Sequence, residues 1–229
     1  MISMRKINAL YTKQLNFIMN NMMIMIMALT GPVFAFIFSQ ANPDYAENFT
    51  GMVMLFNFMS GMLTMAMLIA AEKEMFTLNV LITSTVSVLD FLLSNVLVTV
   101  TLTLALNLVS YQILGLSIGM GDFLLLTVLG GAAASRIGAI IGLISKNQIS
   151  ASTTGTLFMF AMMAPMFLRE NELATRIFSY LFTERISMKL FDLMDGYGIS
   201  VAEIAILLAN IALFTLIFIG FYKKRGLET

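Results

Sequence analysis

Six long apolar stretches, separated by short polar joints, fill more than half of this chain. They run over Met22–Ser39, Thr50–Ala71, Val88–Tyr111, Phe123–Ser145, Ser150–Phe167 and Val201–Tyr222. Each is near the roughly 20 apolar residues that a helix needs to span a bilayer. Three hold no charge; the others hold one each, Asp90, Arg136 and Glu203. No period-2 alternation runs through them, which argues against a transmembrane barrel. The expected fold is therefore an all-α integral membrane protein with six transmembrane helices, forming a single transmembrane domain over 1–229.

Composition agrees. The chain is 59% hydrophobic and 11% charged, with mean hydropathy +0.91; soluble domains carry about 25% charged residues. Thirteen basic residues balance thirteen acidic ones, so net charge gives no nucleic-acid signal. The chain has no Cys and no His. That excludes thiol nucleophiles, His acid–base chemistry and the usual zinc sites. No catalytic residue and no metal ligand set is expected. The 21 Met residues read as flexible apolar filler that can also adapt to varied partners.

Lys and Arg in the joints set the orientation. The leading segment has Arg5, Lys6 and Lys13, the second-to-third joint Lys73, the fourth-to-fifth Lys146, and the tail Lys223, Lys224 and Arg225. Joints 40–49 and 112–122 have none. Both termini are expected in the cytoplasm. The long joint 168–200 mixes Arg169, Arg176, Arg185 and Lys189 with five acids, and dissents. Its helix-like spacing (Leu173, Ile177, Leu181, then Ile186, Leu190, Leu193) predicts short outer helices, with a stop at Asp195-Gly196. In the leading segment 1–21, Met4, Ile7, Tyr11, Leu15 and Ile18 recur at helical spacing, which predicts an amphipathic interfacial helix. A cleavable signal peptide is the rival, but the apolar run is too long for one.

Several residues invite a function. Glu72-Lys73-Glu74 ends the second crossing, and Met75, Leu78 and Ile82 then fall on one helical face. A short helix of that kind suits a groove on a cytoplasmic partner, or lipid. Arg136 lies about 13 Å from the end of its crossing at 1.5 Å per residue. It is expected either to face a wet translocation path or to pair with Asp90 or Asn57. Asn57, Ser60, Gly61 and Thr64 share one face, so Asn57 and Thr64 line either a path or a packing seam. Gly31-Pro32 is expected to bend the first crossing. No GxxxxGK[ST] phosphate loop occurs, and the longest piece outside the crossings, 168–200, is too short for a nucleotide-hydrolysing domain.

The run Glu72-Lys73-Glu74, Thr77-Leu78, Leu81-Ile82-Thr83-Ser84 and Val86-Ser87 resembles the first cytoplasmic loop of type-2 ABC exporter permeases. In that family an acid–base–acid run, a Gly-Thr pair and Leu-Leu-Thr-Ser-Pro-Val-Ser form the helix that couples to the ATPase. Phe76 stands here where Gly is usual, and Thr85 where Pro is usual. Gly138-Ala139-Ile140-Ile141-Gly142-Leu143-Ile144-Ser145-Lys146-Asn147-Gln148 is similar to the end of the family's fourth crossing. The resemblance implies a coupling loop over 72–87 with Glu72, Lys73, Glu74, Met75, Phe76, Thr77, Leu78, Leu81 and Ile82 against the ATPase. It implies a supporting role there for Arg5, Lys6 and Lys13. It also implies two copies of a separate cytoplasmic ATPase binding ATP and Mg, a second permease subunit (the same or different), and a place in a bacterial cell membrane. In size and layout the chain is similar to permeases exporting small amphipathic peptide toxins such as phenol-soluble modulins, so hydrophobic peptides are the expected cargo, ahead of drugs or lipids. A self-contained ion-coupled carrier would instead need inverted repeats or convergent midplane acids. An intramembrane enzyme would need an acid pair or nucleophile at one depth.

Overall fold

The computed structural model describes residues 4–40, 43–75, 87–167, 186, 189–190 and 192–227, without the side chains of 43–48, 163–167 and 223–227. Seven helices account for nearly all of it. They are α1 (Met4–Asn20), α2 (Met22–Gln40), α3 (Pro43–Glu74), α4 (Val88–Leu114), α5 (Met120–Ile144), α6 (Gln148–Phe167) and α7 (Val201–Leu227). No strand occurs among the described residues. By length and apolar composition, α2, residues Phe49–Glu74 of α3, α4, α5 and residues Val201–Tyr222 of α7 can each cross a bilayer. The fifth expected crossing, Ser150–Phe167, falls within α6.

The helix ends are written in local chemistry. Asn21 separates α1 from α2 and accepts the Ile24 N–H on its side chain at 3.2 Å, an N-cap that restarts the chain. Ser87 and Asp90 form a reciprocal capping box at the start of α4. Ser200 and Glu203 do the same for α7, which gives Glu203 its place in an apolar helix. Asn147 accepts the Ser150 N–H at 2.9 Å and opens α6. Gly115 closes α4 at φ 63, where its N–H reaches Gln112 O and the next N–H reaches Tyr111 O. Gly196, at φ 85, closes the turn through Leu193 and Asp192 in the same way, where the sequence predicted a stop. The left-handed backbone at both positions favours glycine. Helix α2 runs through Pro32 as one element.

Helix α3 is the axis. It is the most buried of the five crossing-length helices and packs on α2, α4, α5 and α6. Its closest neighbour is α5. A Cβ on Gly138 would stand 2.1 Å from Met62 O, and one on Gly142 would stand 2.6 Å from Ala66 O. These glycines let the α5 backbone lie against α3 carbonyls, as small residues do where membrane helices meet. The matched pairs 138/62 and 142/66 show α3 and α5 running parallel. The pairs Asn57–Asn107 and Gly61–Thr103 make α4 antiparallel to them. Helix α7 follows α5: Thr215 meets Arg136, and Phe218 and Tyr222 pack with Ala139 and Leu143. Helix α1 lies across α4, with Ile18 packed among Met67, Leu68 and Val98.

Replacing Gly138 by Val should force the α3–α5 crossing apart and cost about 3 kcal/mol or more. Thermal melting followed by circular dichroism in detergent measures this. Gly121→Ala, which meets open space, should leave the melting temperature unchanged or raise it.

Candidate functional site: a charged clasp and a mid-helix arginine

The helical hydrogen bonding of α3 continues into the polar joint, with Met75 N–H bonded to Ala71 O. Glu72, Lys73 and Glu74 therefore point to three different sides of one helical turn. Glu72 faces inward and is only 1% exposed. Its Oε1 accepts from Lys13 Nζ at 2.6 Å and Gln14 Nε2 at 2.7 Å, both on α1. Lys73 Nζ donates to Leu143 O at 2.7 Å and to Ser145 O, the open carbonyls at the end of α5. Glu74 Oε2 accepts the Gln148 N–H at 3.3 Å, at the start of α6. A cation at a helix C-terminus and an anion at a helix N-terminus each match the helix dipole. The acid–base–acid run thus ties α1, α5 and α6 to the end of the axial helix. Asn21 adds a link from the start of α2 to Gln148, at 3.3 Å.

The sequence placed all of 72–75 at a partner-facing joint. In the structure, Glu74 and Met75 are the exposed members, Met75 by 49%. Met75 shares a groove of about 760 Å³ with Lys13, Asn16, Phe17 and Asn20 of α1. So two predicted contact sets, the leading helix and the loop, meet on one surface. Arg5 lines a separate groove of about 530 Å³ with Met4, Tyr11 and Leu97. Lys6 is partly buried on the same helix. Phe76, Thr77, Leu78, Leu81 and Ile82 lie outside the described residues, as does most of the outer element 168–200. The described part of that element is held by Lys189, which reaches Asp192 at 3.2 Å and Glu203 at 3.3 Å.

Asn57 and Thr64 are fully buried in the α3–α4 seam. Asn57 Nδ2 donates to Asn107 Oδ1 at 2.9 Å and Ser110 Oγ at 3.0 Å. Thr99 and Ser135 meet at 2.8 Å on the α4–α5 side. These contacts are packing within one chain. Arg136 does not take the partners expected of it. Asp90 caps α4, and Asn57 Nδ2 donates to Asn107 and Ser110 while its Oδ1 receives nothing from Arg136. Arg136 Nε instead donates to Thr215 Oγ1 of α7 at 2.7 Å, and Nη1 donates to Ala132 O at 2.6 Å. The Thr215 contact spans 79 residues of sequence and carries no local signal. Among the described residues no group of three or more acids comes together to hold a metal.

No protein-family model matches the chain, and no curated protein matches it.

Breaking the clasp gives a direct readout. Glu72→Ala removes the acceptor of two α1 donors and should cost about 2 kcal/mol in a melting experiment. It should also speed trypsin cleavage after Lys13, because α1 loses its anchor. Lys13→Ala combined with Glu72→Ala should add little, since the pair acts as one unit.

Proposed function

We propose that this chain is the membrane subunit of an ATP-driven exporter of amphipathic or hydrophobic substrates, hydrophobic peptides first among them. Its energy comes from a separate cytoplasmic ATPase. The observation that carries this reading is the clasp at Glu72-Lys73-Glu74. The loop after Met75 is joined to the end of the most buried helix, and that same turn grips α1, α5 and α6. A push on that loop is felt by four helices at once, which is what a coupling element must achieve. The loop's likeness to the coupling region of type-2 ABC permeases supports the same reading. So does the absence of a phosphate loop from the sequence.

Six crossings fit this architecture. Helix α7 runs parallel to α5, so the chain must return across the bundle between Ser145 and Val201. Helix α6 starts beside the end of α3 and passes Leu63 at Gly155. Its 20 residues reach about 30 Å, the thickness of the hydrocarbon core. Lys13, Lys73 and Lys146 gather at the end where α3 and α5 finish, which we assign to the cytoplasm by the positive-inside rule. The ATPase docks there on Glu74, Met75 and the polar face of α1. Two copies of the chain, or one with a similar mate, form the complete path in the plasma membrane.

A photoreactive residue at position 75 in living cells should capture a nucleotide-hydrolysing protein, and Glu74→Lys should reduce that capture. Capture of phospholipid alone, together with transport by the purified chain in liposomes lacking any ATPase, would sink the proposal.

A further inference from the structure

We propose that Arg136 is the recognition point for an acidic amphiphile, a long apolar molecule ending in a carboxylate, that enters from the bilayer between α5 and α7. The inference names a substrate class for the export reading above and rests on it for the direction of travel.

The argument starts from depth. Helix α5 runs from Met120 to Ile144, and Ala132 is its middle residue. The Arg136 guanidinium bonds Ala132 O, so the charge sits about 18 Å from either helix end at 1.5 Å per residue. Side chains lean toward the N-terminus of their helix, and this one leans toward the midplane. It does not snorkel to a headgroup. A lone Arg at the centre of a spanning helix costs about 2.5–3.5 kcal/mol on insertion scales.

The second step is charge. Both of its hydrogen-bond partners, Thr215 Oγ1 and Ala132 O, are neutral. Its ion-pair partner is missing among the described residues. The described crossing-length helices of a second copy offer none at that depth either. Within the crossing-length helices the acids stand near the ends: Glu72 and Glu74 finish α3, and Asp90, Asp122 and Glu203 lie in first turns. With no acid of the described helices at that depth, the group suited to this cation is an anion on another molecule that can reside in the hydrocarbon.

The third step is access. Arg136 lies on the outward stripe of α5. Leu125 and Val128 are exposed there, and Ala132, Arg136 and Ile140 are partly exposed. Helix α7, which supplies Thr215, is the least buried crossing-length helix. The guanidinium is reachable sideways from lipid, along apolar walls that suit an alkyl chain. A charge-assisted hydrogen bond to a carboxylate would satisfy donors that neutral partners leave incompletely compensated.

The test uses the intact chain in phosphatidylcholine nanodiscs without ATPase, so it stands or falls apart from the coupling reading. The probe is palmitic acid bearing a chain diazirine, compared with the matching hexadecyl alcohol at pH 8. Photolabelling of α5 and α7 peptides by the acid should exceed that by the alcohol about tenfold, as one charge-assisted bond implies. Arg136→Lys should keep most of this preference. Arg136→Met should abolish it with the circular dichroism melt intact. Equal labelling by acid and alcohol would overturn the proposal. So would an unchanged preference in Arg136→Met, or complete displacement by phosphatidylglycerol, which would assign the site to bulk headgroups.

Discussion

Between helices in lipid there is no hydrophobic force to spend, because the tails are as apolar as leucine. Association comes from close packing and from polar groups that find one another. The α3–α5 crossing meets that constraint directly. Gly138 and Gly142 present no Cβ, so the carbonyls of Met62 and Ala66 lie against the α5 backbone. Once α5 is seated there, the other helices have their places. Helix α4 closes over α3 with Gly61 facing Thr103, and α2 lays Gly31 over Asn57. Helix α7 follows α5 in parallel. The remaining apolar faces, such as Ile26, Val33 and Phe36 on α2 or Leu213 and Leu216 on α7, are left to lipid.

The end of the bundle where α3 and α5 finish has a different logic. There, water competes for every hydrogen bond, and charges are affordable. Three consecutive side chains at the end of α3 divide between three helices, each with the sign that its target prefers. Lys73 takes the carbonyl end of α5, Glu74 the amide end of α6, and Glu72 the polar flank of α1. Glu72 is sheltered under α1 while Lys13 stays half exposed. Such a pair gains from a lower local dielectric without burying two charges fully. The same geometry makes the clasp a mechanical junction: moving the end of α3 without moving its neighbours would leave a buried carboxylate and two helix ends unpaired.

Five apolar helices long enough to cross a bilayer were legible in the sequence, because hydropathy over about 20 residues reports the solvent and needs no knowledge of partners. The stops at Gly115 and Gly196 and the capping pairs were local in the same sense, although only Asp195-Gly196 was read in advance. The clasp was not legible in this way. A mixed-charge run at the end of an apolar stretch looks like a water boundary, and nothing near Glu72 announces Lys13 or Gln14, nearly sixty residues earlier. The α3–α4 seam had a visible half. Asn57, Ser60, Gly61 and Thr64 share a face, but Asn95, Thr99, Thr103 and Asn107 recur every four residues on α4 and mark the opposite half. For Arg136 the depth was readable and the partner was not, since Thr215 is an ordinary hydroxyl in an apolar helix.

Two kinds of polar group therefore sit at membrane depth, and they do opposite things. The neutral ones line a sealed seam between α3 and α4, in which a few atoms, Asn57 Oδ1, Thr64 Oγ1 and Asn107 Nδ2 among them, lack a partner. An unsatisfied amide or hydroxyl is tolerable where close packing excludes alternatives, and separating the seam into lipid would expose the bonded groups as well. That cost holds α3 and α4 together as a rigid core. The charged group lies at the α5–α7 contact, where Arg136 bonds Thr215 and where Phe218 and Tyr222 pack with Ala139 and Leu143. On the proposal above, an arriving anion would favour whichever arrangement of the α5–α7 contact binds it better. The neutral seam and the charged edge thus divide the bundle into a part closed on its own polar groups and a part whose cation stands beside the least buried helix.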